Sequence, residues 1–302
     1  MPLVEHFSLS SMRPSETGTK NMLHPRFLLK ILSWLLSWPR RYASKQVVIL
    51  MYHRVTGDTP LELDLPFPVF RAQMLVLAKM EQVVSLDEAV RRLESGEVFN
   101  HPIYVITFDD AFKDFYTHAF PLLRDLGLPV TLYVPTGFLD SPDTPPISRN
   151  VSAPEKLQPI TWAMLSELVT NPLVTIASHT HSHFELPFLS DAEILDELDR
   201  CDSLLQERLG QPMRHFAYPR GVWNDRVELL VKDRYATIAL ADGGAIKLDS
   251  FFRYRIPRVP ALRSDGMRWF NARISGRLIY EERFVKFVKR LKLKLMSRLH
   301  KW

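Results

Sequence analysis

The chain has 302 residues, 46% of them hydrophobic, which is ample for a substantial core and excludes a fibrous or wholly disordered chain. A single cysteine, Cys201, excludes a disulfide framework and fits a reducing compartment; it lies in a helical pattern and reads as a small residue on a helix face. The net charge of +5 is unevenly spread: residues 253–302 hold 15 Lys+Arg against 3 Asp+Glu, leaving 24 basic and 31 acidic residues before them, so the C-terminal end is suited to a negative surface.

Residues 1–21 read as a polar leader. The run FLLKILSWLLSW (27–38) is apolar apart from Lys30 and two serines. At twelve residues it is too short for a bilayer, which takes about 20. Pro39-Arg40-Arg41 follows without a small-residue cleavage site, so it is no signal peptide. It is expected as an interfacial helix, or as a helix packed on the domain.

Near-continuous apolar runs at 46–52, 103–108, 129–134, 173–178, 214–218 and 235–240, with a shorter one at 253–259, predict strands covered on both faces. Helical patterns at 112–126, 161–170, 190–209 and 224–233 separate several of them, and repeated strand–helix units imply a parallel α/β sheet or barrel. The proline-rich loop 136–160 is long enough to expect a lid or insertion, and Thr161 is placed to cap the helix that follows. At the C-terminus Phe284, Phe287, Val288, Leu291, Leu295 and Leu299 keep helical spacing with Lys286, Lys289, Arg290, Lys292 and Lys294 between them. Such a basic amphipathic helix suits anionic lipid headgroups, or else closes the domain with a solvated basic face.

Titratable residues gather just after the apolar runs, where the rim of a parallel α/β fold carries its site. His53 follows the first strand, Asp109 and Asp110 end the second, and Ser178-His179-Thr180-His181-Ser182-His183 ends the fourth. Adjacent carboxylates raise each other's pKa, and a cation shared with nearby imidazoles relieves that cost. Two histidines and one carboxylate leave an open position for water, the donor set of a hydrolytic zinc site, while the other Asp is free to act as general base. Each piece alone has a plainer reading. The Asp pair would also serve magnesium in a phosphate-receiving domain or cap a helix, the histidine run could be a polar loop, and His53 could be structural. Their combination on one rim favours a metal hydrolase.

The segments VITFDDAFKDFYTHAFPLLRDLGLPVTLYVPTGFL, ITWAMLSELV with VTIASHTHSHFEL, and FAYPRGVWND closely resemble the polysaccharide deacetylases, the NodB-homology group of carbohydrate esterase family four. The likeness runs from about Val47 to Pro260. It implies a distorted (β/α)7 TIM-like barrel and metal-dependent N-deacetylation of hexosamines. It also implies Asp109 as general base and Asp110, His179 and His183 as metal ligands, with Zn2+, or Co2+ or Ni2+, as the ion. His181 falls at a variable position, and Thr180 is expected to hold the loop by a hydrogen bond. The family's Arg-x-Pro-Tyr motif reads Ala217-Tyr218-Pro219-Arg220 here, so Arg258 is the candidate to steady the base. The usual late Leu-x-His is missing, and His53 is the candidate acid for the leaving amine. Tyr218, Arg220 and Trp162 are expected to bind substrate, Arg220 through its backbone N–H; for Trp162 a buried helix-face role is the competing reading. Trp223 and Tyr133 are assigned to the core.

The chain is thus expected as a leader with a short amphipathic helix (1–45), a deacetylase domain (46–262) and a basic helical tail (263–302). Its expected substrate is an N-acetylhexosamine in a cell-surface glycan or its lipid-linked or lipopolysaccharide-core precursor. The ends suggest a cytoplasmic protein resting on the anionic inner face of a membrane; nucleic acid is not expected. Alternatives are a deformylase or other amidase on a lipid-linked amino sugar, a non-catalytic carbohydrate-binding relative, and a membrane-bound scaffold.

Overall fold

The computed structural model describes residues 25–37, 46–143, 145–146 and 156–299. The expected leader, Pro39-Arg40-Arg41 and much of the loop 136–160 lie outside these residues. Six strands form the parallel body of one sheet: β1 (Gln46–Tyr52), β2 (Ile103–Phe108), β3 (Val130–Val134), β4 (Val174–Ser178), β5 (His215–Ala217) and β6 (Thr237–Ala239). Their order in space is the order in the chain. Nearly every strand residue is buried, as the unbroken apolar runs require.

The seventh run, read as a strand over 253–259, is shorter and split. Ile238 donates to the carbonyl of Arg253, Ile256 bonds Ile238, and Leu240 donates to Ile256, which binds the segment to β6. Three residues after Ile256, Val259–Pro260, strand β8, pairs in parallel with Leu50 and Met51 of β1. Pro257 and Pro260 lack the N–H a continuous ladder needs, so the segment crosses from one edge to the other as two short pairings. It closes the sheet into a distorted seven-staved barrel. The short β7 (Ile246–Lys247) adds an antiparallel pairing at the start of β1.

Helices α2 (Phe67–Met80) and α3 (Leu86–Glu94) lie between β1 and β2, a stretch where the sequence pattern named no element. Leu86, Ala89 and Leu93 of α3 pack with Val47, Ile49, Ile103, Val105 and Ile256, while α2 joins the main core on the other side of the sheet. The helix expected over 112–126 forms as a π turn at 115–119 running into α4 (Phe120–Asp125). Pro121 has no N–H to offer Thr117, and the wider turn lets Phe120 donate to the carbonyl of Phe115 instead. A one-turn helix, α5 (Thr136–Asp140), follows β3. Helices α6 (Trp162–Leu168), α7 (Asp191–Leu209) and α8 (Asp225–Val231) begin at side-chain caps from Thr161, Ser190 and Asn224, the second a complete capping box.

Residues 263–302, expected as a tail, begin as part of the packed body. Helix α9 (Gly266–Ile274) buries Trp269, Phe270 and Ile274, and α10 (Ile279–Leu299) continues from it. Helix α1 (Pro25–Leu36) lies against both, with Phe27, Ile31 and Trp34 on Trp269, Ala272 and Leu278. No helix among the described residues is long and apolar enough to cross a membrane.

Candidate active site

Parallel strands deliver their C-terminal ends to one rim, and β1, β2 and β4 bring His53, Asp109, Asp110 and the histidine loop together there. Asp109 continues the ladder, its N–H donating to the carbonyl of Tyr52 at 3.0 Å. Asp110 then turns into the left-handed region at φ 69°, which swings its carboxylate away from that of its neighbour. Asp110 Oδ1 lies 3.2 Å from Nε2 of His183 and 3.6 Å from Nε2 of His179. One donor atom from each of the three residues falls within 4.8 Å of the others.

Local geometry aims the imidazoles. His179 Nδ1 donates to the carbonyl of Ala217 at 2.7 Å, which leaves Nε2 with a lone pair toward Asp110. Burial pulls the His179 pKa down to about 4, so the ring is neutral near neutral pH. Thr180 and His183 both adopt positive φ, and the His183 N–H donates to Thr180 Oγ1 at 3.1 Å. A β-branched residue rarely takes that conformation, so the loop holds strain that its surroundings must support. Gly137 approaches this loop so closely that a Cβ there would meet the His181 carbonyl at 2.7 Å. His181 turns away: its Nδ1 is 2.8 Å from Thr136 Oγ1 and its Nε2 is 2.9 Å from Arg200.

Arg258 grips Asp109 with two hydrogen bonds, 2.6 Å to Oδ1 and 2.8 Å to Oδ2, and both side chains are buried. Burial raises the Asp109 pKa, but Arg258 and the nearby histidines more than offset it, so the carboxyl ionises below its usual range. Thr107 Oγ1 accepts from Arg258 at 3.2 Å, and the Tyr133 ring lies 4.9 Å beneath the guanidinium. Tyr133 is therefore more than core filling: it is a neighbour of the charge pair, on the inner face of β3. Its signal in the sequence was a place in the apolar run 129–134 alone, which does not say what faces it. His53 Nε2 is 3.9 Å from Asp109 Oδ2.

The residues read as substrate contacts scatter. The ring of Tyr218 is 1% exposed, stacks on Trp223 and packs edge-on to Phe216 within the main core. Its side chain thus packs in the main core, immediately after β5. Trp162 is half-buried, donates from Nε1 to Asp140 at 2.8 Å and has Arg208 over its ring. Arg220 stands at positive φ beyond β5, its guanidinium 3.4 Å from Glu185 and 3.4 Å from the Pro146 carbonyl. Arg54 was passed over: it pairs with Asp58, Asp64 and Asp114 just after β1 and so fixes the backbone beside His53.

The donor set fits a divalent cation. Asp110 Oδ1 is buried without a hydrogen-bond partner, and two neutral-capable imidazole nitrogens face it. A buried carboxylate oxygen left so is costly unless a cation shares it.

Residues 97–238 match the family model described as polysaccharide deacetylase. The chain is 24% identical over 243 residues to the poly-beta-1,6-N-acetyl-D-glucosamine N-deacetylase of Staphylococcus epidermidis, covering 72% of this chain and 80% of that protein. It is 30% identical over 214 residues to the Escherichia coli protein of the same name, covering 60% of this chain but 32% of that longer one. Among solved structures, the Streptococcus pyogenes deacetylase PplD in complex with acetate shares the fold at a TM-score of 0.63 and 22% identity, covering 76% of this chain and 98% of that one. IcaB from Ammonifex degensii does so at 0.62 and 20%, covering 80% and 98%.

Proposed function

Since this chain belongs to the polysaccharide deacetylases, enzymes that hydrolyse the amide bond of N-acetyl sugars, we propose that it removes the acetyl group of an N-acetylhexosamine with a divalent cation held by Asp110, His179 and His183. One observation carries the reading: three ligand atoms within 4.8 Å of one another stand beside a second carboxylate, Asp109, that is clamped by Arg258 and turned elsewhere.

A divalent cation at that position supplies a Lewis acid that polarises the acetamido carbonyl and acidifies a nearby water. Asp109 takes the proton of the attacking water. Arg258 keeps that carboxylate ionised and fixes both its oxygens, so only a lone pair pointing into the site is free to accept. His53, beside Asp109, delivers a proton to the amide nitrogen as it departs as an amine. The backbone N–H of Arg220 steadies the developing oxyanion. Water adds to the carbonyl carbon, the C–N bond breaks, and acetate and a free amino sugar result. Trp162 borders the sugar, and zinc is the ion that two imidazoles and a carboxylate suit best.

The basic, apolar ends of the chain support a substrate carried at a membrane, namely a lipid-linked or lipopolysaccharide-core glycan at the cytoplasmic face. Acetate release from N-acetylglucosamine oligomers and from lipid-linked acetamido sugars, with and without chelator, tests the proposal. Release that persists unchanged in an Asp109→Asn variant would remove its basis.

A further inference from the structure

Helix α1 turns polar groups inward beside Phe27, Ile31 and Trp34, which pack on the domain. Its polar stripe, Arg26, Lys30, Ser33 and Ser37, recurs at helical spacing and faces the protein, with Lys30, Ser33 and Ser37 buried. Lys30 Nζ lies 2.7 Å from Asp265 and donates to Ser264 Oγ at 3.1 Å. Ser33 Oγ donates to the Arg277 carbonyl at 3.1 Å and accepts from the Tyr280 N–H at 3.2 Å. Arg26 Nε donates to Glu281 at 2.8 Å. These bonds fix the roll of the helix.

What the roll leaves outside is leucine. Leu28 and Leu36 are 67% and 64% exposed, and Leu32 and Leu35 more than half exposed. On α10, which α1 contacts, Phe284, Phe287, Val288 and Leu291 are exposed too. Eight of the fifteen large hydrophobic side chains exposed among the described residues thus lie on these two helices. In water a helix rolls the other way, burying leucine and leaving lysine solvated. An orientation that buries a lysine and exposes four leucines fits a protein whose surroundings there are apolar.

Charge identifies the surroundings. Helix α1 contains no Asp or Glu, and α10 has none after Glu282. Residues 283–299 add seven Lys and Arg. Two copies of so cationic a sequence would repel each other, whereas anionic headgroups beside acyl chains match both the net charge of the two helices and their exposed leucines.

We propose that α1 and α10 form one docking surface for an anionic lipid bilayer, with Leu28, Leu32, Leu35 and Leu36 entering the headgroup–acyl boundary. The assignment rests on the membrane reading above and gives it its residues; the hydrolytic chemistry is independent of it. Lying flat, the surface holds the barrel against the membrane, and no helix among the described residues is long and apolar enough to span it.

The test is flotation of the full-length protein with vesicles of phosphatidylethanolamine containing about one quarter phosphatidylglycerol, against vesicles of phosphatidylcholine alone. The wild type is expected on the anionic vesicles, with salt weakening the binding. Replacing Leu28, Leu32, Leu35 and Leu36 together by Gln is expected to lower partitioning about a hundredfold, and Phe287→Ser with Leu291→Gln about tenfold. Acetate release from a water-soluble oligosaccharide, measured on the same preparations, tells failure of the chemistry from failure of the surface. A wild type that does not float overturns the proposal, as does a four-leucine variant that floats undiminished. So does a wild-type dimer that these substitutions convert to monomer, since the face would then be a contact between copies.

Discussion

Buried charge gathers both at the barrel mouth and in the seam between α1, α9 and α10. In the seam Arg273 donates to both oxygens of Asp265 and to Glu281 and Glu282, while Lys30 and Arg26 close the remaining sides. Three cations meet three carboxylates. At the mouth Arg258 and Asp109 are paired as tightly, yet Asp110 Oδ1, His183 Nδ1 and His53 Nδ1 are buried without hydrogen-bond partners. Of the six non-glycine residues at positive φ among the described residues, five, namely Asp110, Ala111, Thr180, His183 and Arg220, lie in the loops around the mouth. The seam's charge is mostly satisfied within the protein, Glu282 Oε2 being left over; the mouth keeps one carboxylate oxygen and two imidazole nitrogens in reserve and holds strain in the backbone.

The sharpest way to break this contrast is to treat the mouth as if it were an anchor. His183→Ala is predicted to abolish metal retention and activity together, measured by elemental analysis and acetate release; a fully active, metal-free variant would sink the cation reading. Asp109→Asn should keep the metal and the fold but lower kcat by about a thousandfold. Loss of metal in that variant would show that the two carboxylates are not divided as proposed.

The seam answers to stability instead. Arg273→Met leaves three carboxylates buried around an apolar side chain and is predicted to cost about 3–5 kcal/mol in urea unfolding, with the turnover of the folded fraction unchanged. An unshifted unfolding midpoint would count against the network as the anchor of α1.

A smaller effect sharpens the comparison further. Burial pushes the Glu282 carboxyl from an ordinary 4.5 up to about 7, against the pull of Arg273. Because the folded value is raised, the fold favours the neutral acid. The stability this lends is full below about pH 4.5 and fades as pH rises through 7, by at most about 3 kcal/mol. Glu282→Gln should remove that slope and leave the protein more stable than wild type at pH 8. An identical slope in both proteins would assign it to other groups.

Much of the barrel was legible in the chain, because a parallel strand buried on both faces must be apolar throughout and the runs at 46–52 and 103–108 coincide with β1 and β2. The rim residues were legible for the same reason: polar groups ending apolar runs have one place to go. Between β1 and β2 the pattern failed, since α2 is nearly as apolar as a strand and α3 faces the barrel interior instead of the outer core. That the Tyr218 ring packs in the core was not legible, because a motif fixes sequence neighbours and not which way a residue just after a strand turns.

By itself the sequence determined the stave-and-helix repeat, the set of ligand types and their spacing, since periodicity and residue chemistry are local properties. Only the tertiary structure decided that Arg258, 149 positions from Asp109, supplies the clamp, and that Lys30 faces inward while its neighbouring leucines face out. Both depend on which distant charge stands opposite. A long-range ion pair leaves no trace in local pattern, and an apolar run does not say which of its faces the protein will claim.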